Sequence, residues 1–333
     1  MKVIVLGASG YTGAELCNLL SRHPSMQLAC AYVSENSNDS GKALSQLYPQ
    51  FPGLDGVTLQ PFSLADVHEM DGVSLAFLAT PHEFSHDVAP ALLDAGIRVA
   101  DLSGAFRLKD AATFARCYGF NHLQREELAL AEYGLVDFYA DKITRASLVA
   151  VPGCYPTASL LALKPLAALL DTAVRPVINA ISGVSGAGRK AALNTSFCEV
   201  GVQAYGVLGH RHQPEISAWL GQDVLFTPHL GTFKRGILAT ISVRLREEVN
   251  IADIQHAYQQ AYVNSPLVRV SHGQMPRLDD VVNTPRCHIG WQFDPHSGYL
   301  VVSSAIDNLL KGAAAQALQN ANLMLGLEKD CGL

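Results

Sequence analysis

A chain of 333 residues, 49% hydrophobic and 16% charged, is long enough to bury a large core and to divide into about two domains. Its 24 basic and 30 acidic side chains leave a net charge of −6, and no lysine- or arginine-rich run occurs, which argues against nucleic-acid and anionic-membrane partners. There is no apolar stretch of about 18 residues, and the N-terminus enters a strand without a charged leader, so a cytoplasmic chain is expected.

Strand, turn and helix open the chain. KVIVLG (2–7) is a short β-branched run ending in glycine, and YTGAELCNLLSRHP (11–24) carries Ala14, Cys17 and Leu20 at helical spacing before Pro24. LACAYVS (28–34) and VSLAFLAT (73–80) read as strands, FSHDVAPALLDAG (84–96) as a helix ending at Gly96, and RVADLS (98–103) as the next strand. This alternation predicts an α/β fold with a parallel, doubly wound sheet. After residue 150 the segments VINAIS (177–182), GILATISVRLR (236–246) and GYLVVSSAI (298–306) are longer and partly alternating, as in an antiparallel sheet with one covered face. The second half therefore reads as α+β. A closing alanine-rich helix is expected over 308–327, with Asn308 placed to cap it.

GASGYTG places Gly7, Gly10 and Gly13, with Ser9, Tyr11 and Thr12 between them, directly after the first strand and at the opening of the first helix. Backbone amides and the helix dipole hold a pyrophosphate at such a junction. Spacing of this kind also describes a tight turn with close helix packing, but its place in the first βαβ unit selects a dinucleotide. An NAD site carries a carboxylate for the ribose at the end of the second strand. Here Ser34 occupies that position and Lys42 follows, which predicts NADP(H) although Glu35 adjoins. Thr80, with Pro81, closes another strand at the carboxyl edge of the sheet, where nucleotides sit.

The seven cysteines are odd in number, scattered and free of any C-x-x-C pair, so neither a disulfide framework nor a metal site is expected. Cys154 differs by context. In VPGCYPTAS (151–159) it precedes Pro156, a residue suited to the first turn of a helix, and TASLLALKPLAALL continues with a helical apolar stripe. A cysteine at a helix N-terminus is held toward thiolate, a nucleophile for an acyl carbon. HRHQPEI (210–216) supplies His210 and His212 as candidate proton donors and acceptors. Their spacing does not choose between them; His212 is favoured because it lies nearer the helix start at Pro214.

With the glycine turn, VPGCYPTAS, GVSGAGRKA (183–191) and GHRHQPEI (209–216), the chain resembles the type 1 N-acetyl-γ-glutamyl-phosphate reductase family along its whole length. DLSGAFR (101–107) resembles a further family segment, but Ala105 stands where an acidic residue is common. The resemblance implies an NADP-binding Rossmann domain over 1–150 plus 308–333 and an α+β catalytic and oligomerisation domain over 151–307, of the semialdehyde dehydrogenase kind. It implies NADPH-dependent reduction of an acyl phosphate through a Cys154 thioester, in arginine biosynthesis, by a homodimer or homotetramer. Arg107 and Arg189, inside family-like motifs, suit the substrate's phosphate and carboxylate as planar bidentate cations. Ser185 and Gly186, with Gly188, form a flexible turn suited to lying against the cofactor, and Asn308 is placed to reach the nicotinamide amide. The alternatives are a related semialdehyde dehydrogenase, an N-acetyl-aminoadipyl-phosphate reductase of lysine biosynthesis, and a non-catalytic NADP-binding redox sensor. The histidine motif counts against the last.

Overall fold

The computed structural model describes residues 1–333, the side chain of Glu69 excepted. The chain forms two units, Met1–Pro152 with Ala313–Leu333, and Gly153–Gly312.

In the first unit the elements are β1 (Lys2–Leu6), α1 (Tyr11–Leu20), β2 (Gln27–Ser34), α2 (Leu44–Leu47), β3 (Leu59–Phe62), β4 (Val73–Leu78), α3 (His82–Asp94), β5 (Arg98–Asp101), α4 (Ala111–Tyr118), α5 (Arg125–Leu130), β6 (Glu132–Tyr133), α6 (Val136–Arg145) and β7 (Leu148–Ala150). The strands form one sheet in the order β3-β2-β1-β4-β5-β7-β6, parallel at every pairing. Val3 to Leu6 are all buried, which is why β1 reads as a continuous apolar run: a parallel sheet is covered on both faces. Strand order reverses on either side of β1, so the carboxyl ends of β1 and β4 flank a crevice of the kind that takes nucleotides.

Helix α10 (Ala315–Met324) returns to this unit and is docked by polar side chains. Asn320 donates through Nδ2 to the Gly134 carbonyl at 2.9 Å, and a Cβ on Gly134 would fall 2.8 Å from that nitrogen. The expected helix over 308–327 is in fact shorter. Residues Leu310–Ala314 form a wide π-turn, and the α-helix starts only at Ala315. Its entry is capped by Asp307 rather than Asn308, because Asp307 Oδ1 accepts from the amides of Leu309 and Leu310 at 2.8 and 3.0 Å.

The second unit contains α7 (Cys154–Leu163), β8 (Val177–Ser182), β9 (Gln203–Ala204), α8 (His212–Leu220), β10 (Leu225–Leu230), β11 (Ile237–Arg244), α9 (Ile251–Tyr262), β12 (Val268–His272), β13 (Cys287–Asp294) and β14 (Tyr299–Ile306). Its sheet runs β12-β13-β14-β11-β8-β10-β9. It is mixed rather than antiparallel: β8 pairs in parallel with β10, and β12 with β13. Alternation survives where one face is covered, as in β11, whose Ile237, Ala239, Ile241 and Val243 are buried and whose Thr240 and Arg244 are exposed.

The apolar stripe expected along α7 is also corrected. Every residue from Tyr155 to Leu163 is buried, polar Thr157 and Ser159 included, so the helix is covered on all faces, and each leucine contributes about 1.5–3 kcal/mol by leaving water. The α-helix stops at Leu163, and Pro165 lies in a tighter 3₁₀ turn over Lys164–Leu169. Tyr258 and Tyr262 of α9 donate to the carbonyls of Ala162 and Leu161, closing the C-terminal end of α7.

DLSGAFR lies in the first unit's core. Ala105 is fully buried, and its carbonyl accepts from His122 Nε2 at 3.0 Å. The buried His122 ring packs on Phe114, His86 and Phe106 at 4.8, 4.7 and 5.3 Å. Burial first, then the neighbouring His86, pushes His122 down to about 4. The folded state thus refuses a proton that an unfolded histidine accepts near pH 6.5. Stability supplied this way is complete above pH 6.5 and is lost as pH falls toward 4. Urea midpoints measured from pH 7.5 to 4 are expected to fall, and less steeply in His122→Phe, which keeps the ring and removes the proton site; equal slopes would refute this.

Candidate functional site

The carboxyl edge of the first sheet builds a candidate nucleotide cradle within the first unit. Gly7 turns the chain out of β1 at φ +82°, and a Cβ there would lie 2.2 Å from the Ala79 carbonyl oxygen. At Gly13 a Cβ would meet the Gly7 carbonyl at 2.3 Å, so α1 packs directly on the turn. Gly10 is different: a Cβ would find only the Gly7 carbonyl, at 3.4 Å, which leaves its outer side open for a ligand to approach the backbone. No side chain caps α1, whose first turn runs through Tyr11, Thr12 and Gly13, and no acidic residue stands there. Such an end receives an anion.

Neighbours complete this cradle. A Cβ on Gly7 would lie 3.3 Å from Thr80 Cγ2, and Thr80 Oγ1 is 2.7 Å from Ser85 Oγ. Tyr48, which the sequence did not single out, donates its hydroxyl to the Ser9 carbonyl at 2.8 Å and meets the Tyr11 ring edge-on at 6.4 Å. Ser34 lies exposed at the end of β2, and the ammonium of Lys42 is 2.9 Å from Asp39.

Arg107 is buried, with two of its nitrogens held by the chain itself. Its Nε donates to the Val151 carbonyl at 2.8 Å, and a terminal nitrogen donates to Leu102 at 2.7 Å. It faces Asp101, whose carboxyl accepts from the amide and hydroxyl of Ser103 at 2.9 and 2.8 Å. Burial pushes Asp101 above the usual carboxylate range, while the Ser103 hydrogen bonds and then Arg107 pull against it.

Cys154 is the first residue of α7 in the second unit. Gly153 precedes it in extended conformation, with no side-chain cap, so the first-turn amides and the helix dipole favour a thiolate. Three other thiols lack such a setting, and burial pushes Cys17, Cys30 and Cys117 up. The approach to Cys154 is pinned at both ends of Gly153. Its carbonyl accepts from the amide and hydroxyl of Thr157 at 2.8 and 2.9 Å, and its amide donates to Glu215 Oε1 at 2.9 Å.

Glu215 is fully buried on α8, three residues after His212, which also opens that helix. The rings of His210 and His212 are 4.8 Å apart, and each is 5.9 Å from Tyr155, the residue after the cysteine. His210 Nδ1 accepts from the His212 amide at 3.1 Å; burial first, then Arg211, holds His210 down to about 4. It is therefore neutral at physiological pH. Tyr205 donates to the Tyr155 hydroxyl at 3.2 Å, and Tyr155 donates to the His229 carbonyl at 3.1 Å. Burial chiefly raises both phenols, with the charge of Cys154 a lesser cause in each.

Ser185, Gly186 and Asn308 come together, but not as a flexible turn. The amides of Val184 and Ser185 donate to the Phe233 and Lys234 carbonyls at 2.9 and 3.0 Å, which fixes the segment. Asn308 joins them, accepting from the Gly236 amide at 2.7 Å and donating to Ser185 Oγ at 3.0 Å. Arg189 lies farther along, on the exposed stretch that follows Gly186. Glu215, Tyr155, Tyr205 and Tyr48 are the neighbours missed in the sequence. Only Glu215 carried a signal: a carboxylate one helical turn after His212, on a helix that buries it.

Each unit matches a domain of one enzyme class. Residues 2–144 match the family model described as the semialdehyde dehydrogenase NAD binding domain, and residues 154–308 the semialdehyde dehydrogenase dimerisation domain. The fold matches aspartate semialdehyde dehydrogenase II from Vibrio cholerae complexed with ASA, at a TM-score of 0.73 and 18% identity over 98% of both chains. A probable aspartate-semialdehyde dehydrogenase from Pseudomonas aeruginosa gives 0.73 at 21% identity, again over 98% of both. Sequence relatives narrow the class. N-acetyl-gamma-glutamyl-phosphate reductase of Pseudoalteromonas atlantica is 54% identical over 100% of this chain and 98% of its own. The enzyme of that name from Escherichia coli O157:H7 is 54% identical over 98% and 97%. The chain belongs to the N-acetyl-gamma-glutamyl-phosphate reductases of the semialdehyde dehydrogenase family.

The clamp on Gly153 leads to an expected outcome. Glu215→Ala removes the acceptor for a buried amide one residue before the thiol and should lower kcat by about 10²-fold, the cost of a misplacement near 1 Å. Glu215→Gln keeps a carbonyl oxygen for that amide and should retain more activity; steady-state assays in which Gln is no better than Ala would disprove the positioning role.

Proposed function

We propose that this chain reduces N-acetyl-γ-glutamyl phosphate with NADPH to N-acetylglutamate 5-semialdehyde and phosphate, the reductive step at that acyl phosphate in arginine biosynthesis. The observation that carries the reading is Cys154 at the mouth of α7 with two histidine rings against the adjoining Tyr155. The names of the relatives at 54% identity support the substrate. We read the dimerisation domain at 154–308 as the basis of a homodimer or homotetramer working in the cytoplasm.

The residues of the first unit fit the cofactor because Gly10 leaves an open cradle above an uncapped helix end. Gly7, Ser9, Gly10, Tyr11, Thr12 and Gly13 would hold the pyrophosphate and Thr80 would border it, while Ser34, in place of a carboxylate, supports NADP over NAD. Ser185, Gly186 and Asn308 form a fixed polar ledge suited to the nicotinamide amide. The bound cofactor supplies the hydride.

The remaining steps belong to the chain's own side chains. Cys154 thiolate attacks the acyl carbon, the carbon–oxygen bond to phosphate breaks, and phosphate leaves with that electron pair. The thioester carbonyl, once reduced, needs a proton on its oxygen; the acid gives that proton and takes it back as the carbon–sulfur bond breaks and the aldehyde departs. We favour His212 for this role because it opens α8 and shares that helix with Glu215, the carboxylate that holds Gly153. His210, neutral and fixed to the His212 amide, acts as a positioning group. Arg107 and Arg189 are proposed for the substrate's anionic groups; Arg107 also braces the segment that ends at Val151.

The decisive assay oxidises N-acetylglutamate 5-semialdehyde with phosphate and NADP. Cys154→Ser should abolish it while NADP binding persists, and NADP should exceed NAD by about tenfold in kcat/KM, the scale of one charge contact to the 2′-phosphate. Turnover in Cys154→Ser sinks the mechanism, and equal use of the two cofactors sinks the NADP reading.

The histidines can be separated in the same assay. His212→Asn should lower kcat by about 10²–10⁴-fold and flatten one limb of the pH–rate profile, whereas His210→Asn should mainly raise KM. The reverse pattern would transfer the acid/base role to His210.

A further inference from the structure

Gly312 sits at the centre of the π-turn Leu310–Ala314, where its amide donates to the Asp307 carbonyl five residues back, at 2.9 Å. Wide turns of this kind are rare inside helices and recur at functional sites. A Cβ built on Gly312 would lie 3.0 Å from Cys154 Cβ, 3.2 Å from Ile306 Cδ1 and 3.3 Å from the Asp307 carbonyl oxygen. Carbon atoms in ordinary contact stand about 3.5–4.0 Å apart, so a side chain at this position would press on the cysteine unless its neighbours gave way by a few tenths of an ångström.

Both sides are anchored. The position of Cys154 Cβ is set by the backbone and does not change with the rotamer of the thiol. That backbone opens a helix buried from Tyr155 to Leu163, pinned at Gly153 by Glu215 and Thr157 and at its far end by Tyr258 and Tyr262. On the other side the turn hangs from Asp307, which is fully buried. One of its oxygens accepts the amides of Leu309 and Leu310; the other accepts the Asn283 amide at 2.7 Å and pairs with Arg235 Nε.

We infer that the π-turn is a buttress for the nucleophile: Gly312 is a positioning residue whose lack of a side chain lets the Asp307-anchored backbone hold Cys154 at the mouth of α7. This rests on Cys154 being the reactive thiol of the proposed function. The Asp307–Arg235 pair then gains a purpose beyond capping, since it fixes the turn that fixes the cysteine.

The test is Gly312→Ala, followed by the double variant Gly312→Ala/Ile306→Val, in which loss of Ile306 Cδ1 relieves the second conflict. Gly312→Ala should lower kcat at least about tenfold with KM and NADPH binding little changed. Iodoacetamide labelling, read by mass spectrometry on the Cys154 peptide, should slow by a similar factor, with its pH midpoint raised as the thiol leaves the helix end. The double variant should recover thermal stability but neither kcat nor labelling rate. Wild-type kcat and labelling in Gly312→Ala, or recovery of kcat in step with stability, would overturn the inference. Failure of both variants to fold would reduce the contact to packing and overturn it equally. Labelling needs no substrate, so a protein inactive on the acyl phosphate but slowed at Cys154 by Gly312→Ala would keep the buttress and lose only the proposed reaction.

Discussion

Helix α7 begins at a half-buried cysteine and is fully buried from the next residue on, and the second unit is organised around that constraint. A helix start leaves backbone amides without partners, and Cys154 stands at this one with no side-chain cap before it. Burying such an end is unfavourable unless the chain around it supplies partners or a negative charge. Here Glu215 accepts the Gly153 amide, and the amides that follow it in the first turn favour the thiolate. The same feature that would destabilise an ordinary helix is what makes the sulfur reactive.

A buried carboxylate such as Glu215 is retained at a cost in desolvation, and it is tolerated only where it is fully engaged. Its place on α8 ties the cysteine loop to the helix that His212 opens, so the nucleophile and the favoured acid/base share one rigid connection. Tyr155 adds a second link: its ring touches both histidines and its hydroxyl reaches the strand at His229. Activation of the thiol and placement of the histidines are thus one packing problem. The first unit solves a simpler one, in which three glycines serve three distinct ends: a left-handed turn at Gly7, an open face at Gly10 and helix contact at Gly13.

Much of this was legible in the linear chain because it rests on local rules. The apolar run ending at Gly7, the glycine spacing, the alternation of strands and helices, and a cysteine two residues before a proline suited to a helix's first turn are set by neighbours in sequence. They determine the doubly wound first half and the position of Cys154 at a helix start. Composition and motif spacing likewise singled out His210 and His212. Periodicity failed where burial was complete. A helix buried on all faces has no stripe to read, which is why α7 departed from its expected pattern, and β8 beside β10 shows no local mark of running parallel.

What only the tertiary structure decided are the partners separated by long stretches of chain. Glu215 meets Gly153 across 62 positions, Asn308 meets Ser185 across 123, and Asn320 meets Gly134 across 186. Asp307 rather than Asn308 became the cap because Asn308's carboxamide was already bound to Gly236 and Ser185. The depressed proton affinity of His210 follows first from burial, in a pocket whose rings Tyr155, Tyr205 and Phe226 come from three separate stretches of chain. Sequence encodes backbone preference, which acts over a few residues; hydrogen-bond partners and desolvation are properties of the packed chain, and they exist only once distant segments have met.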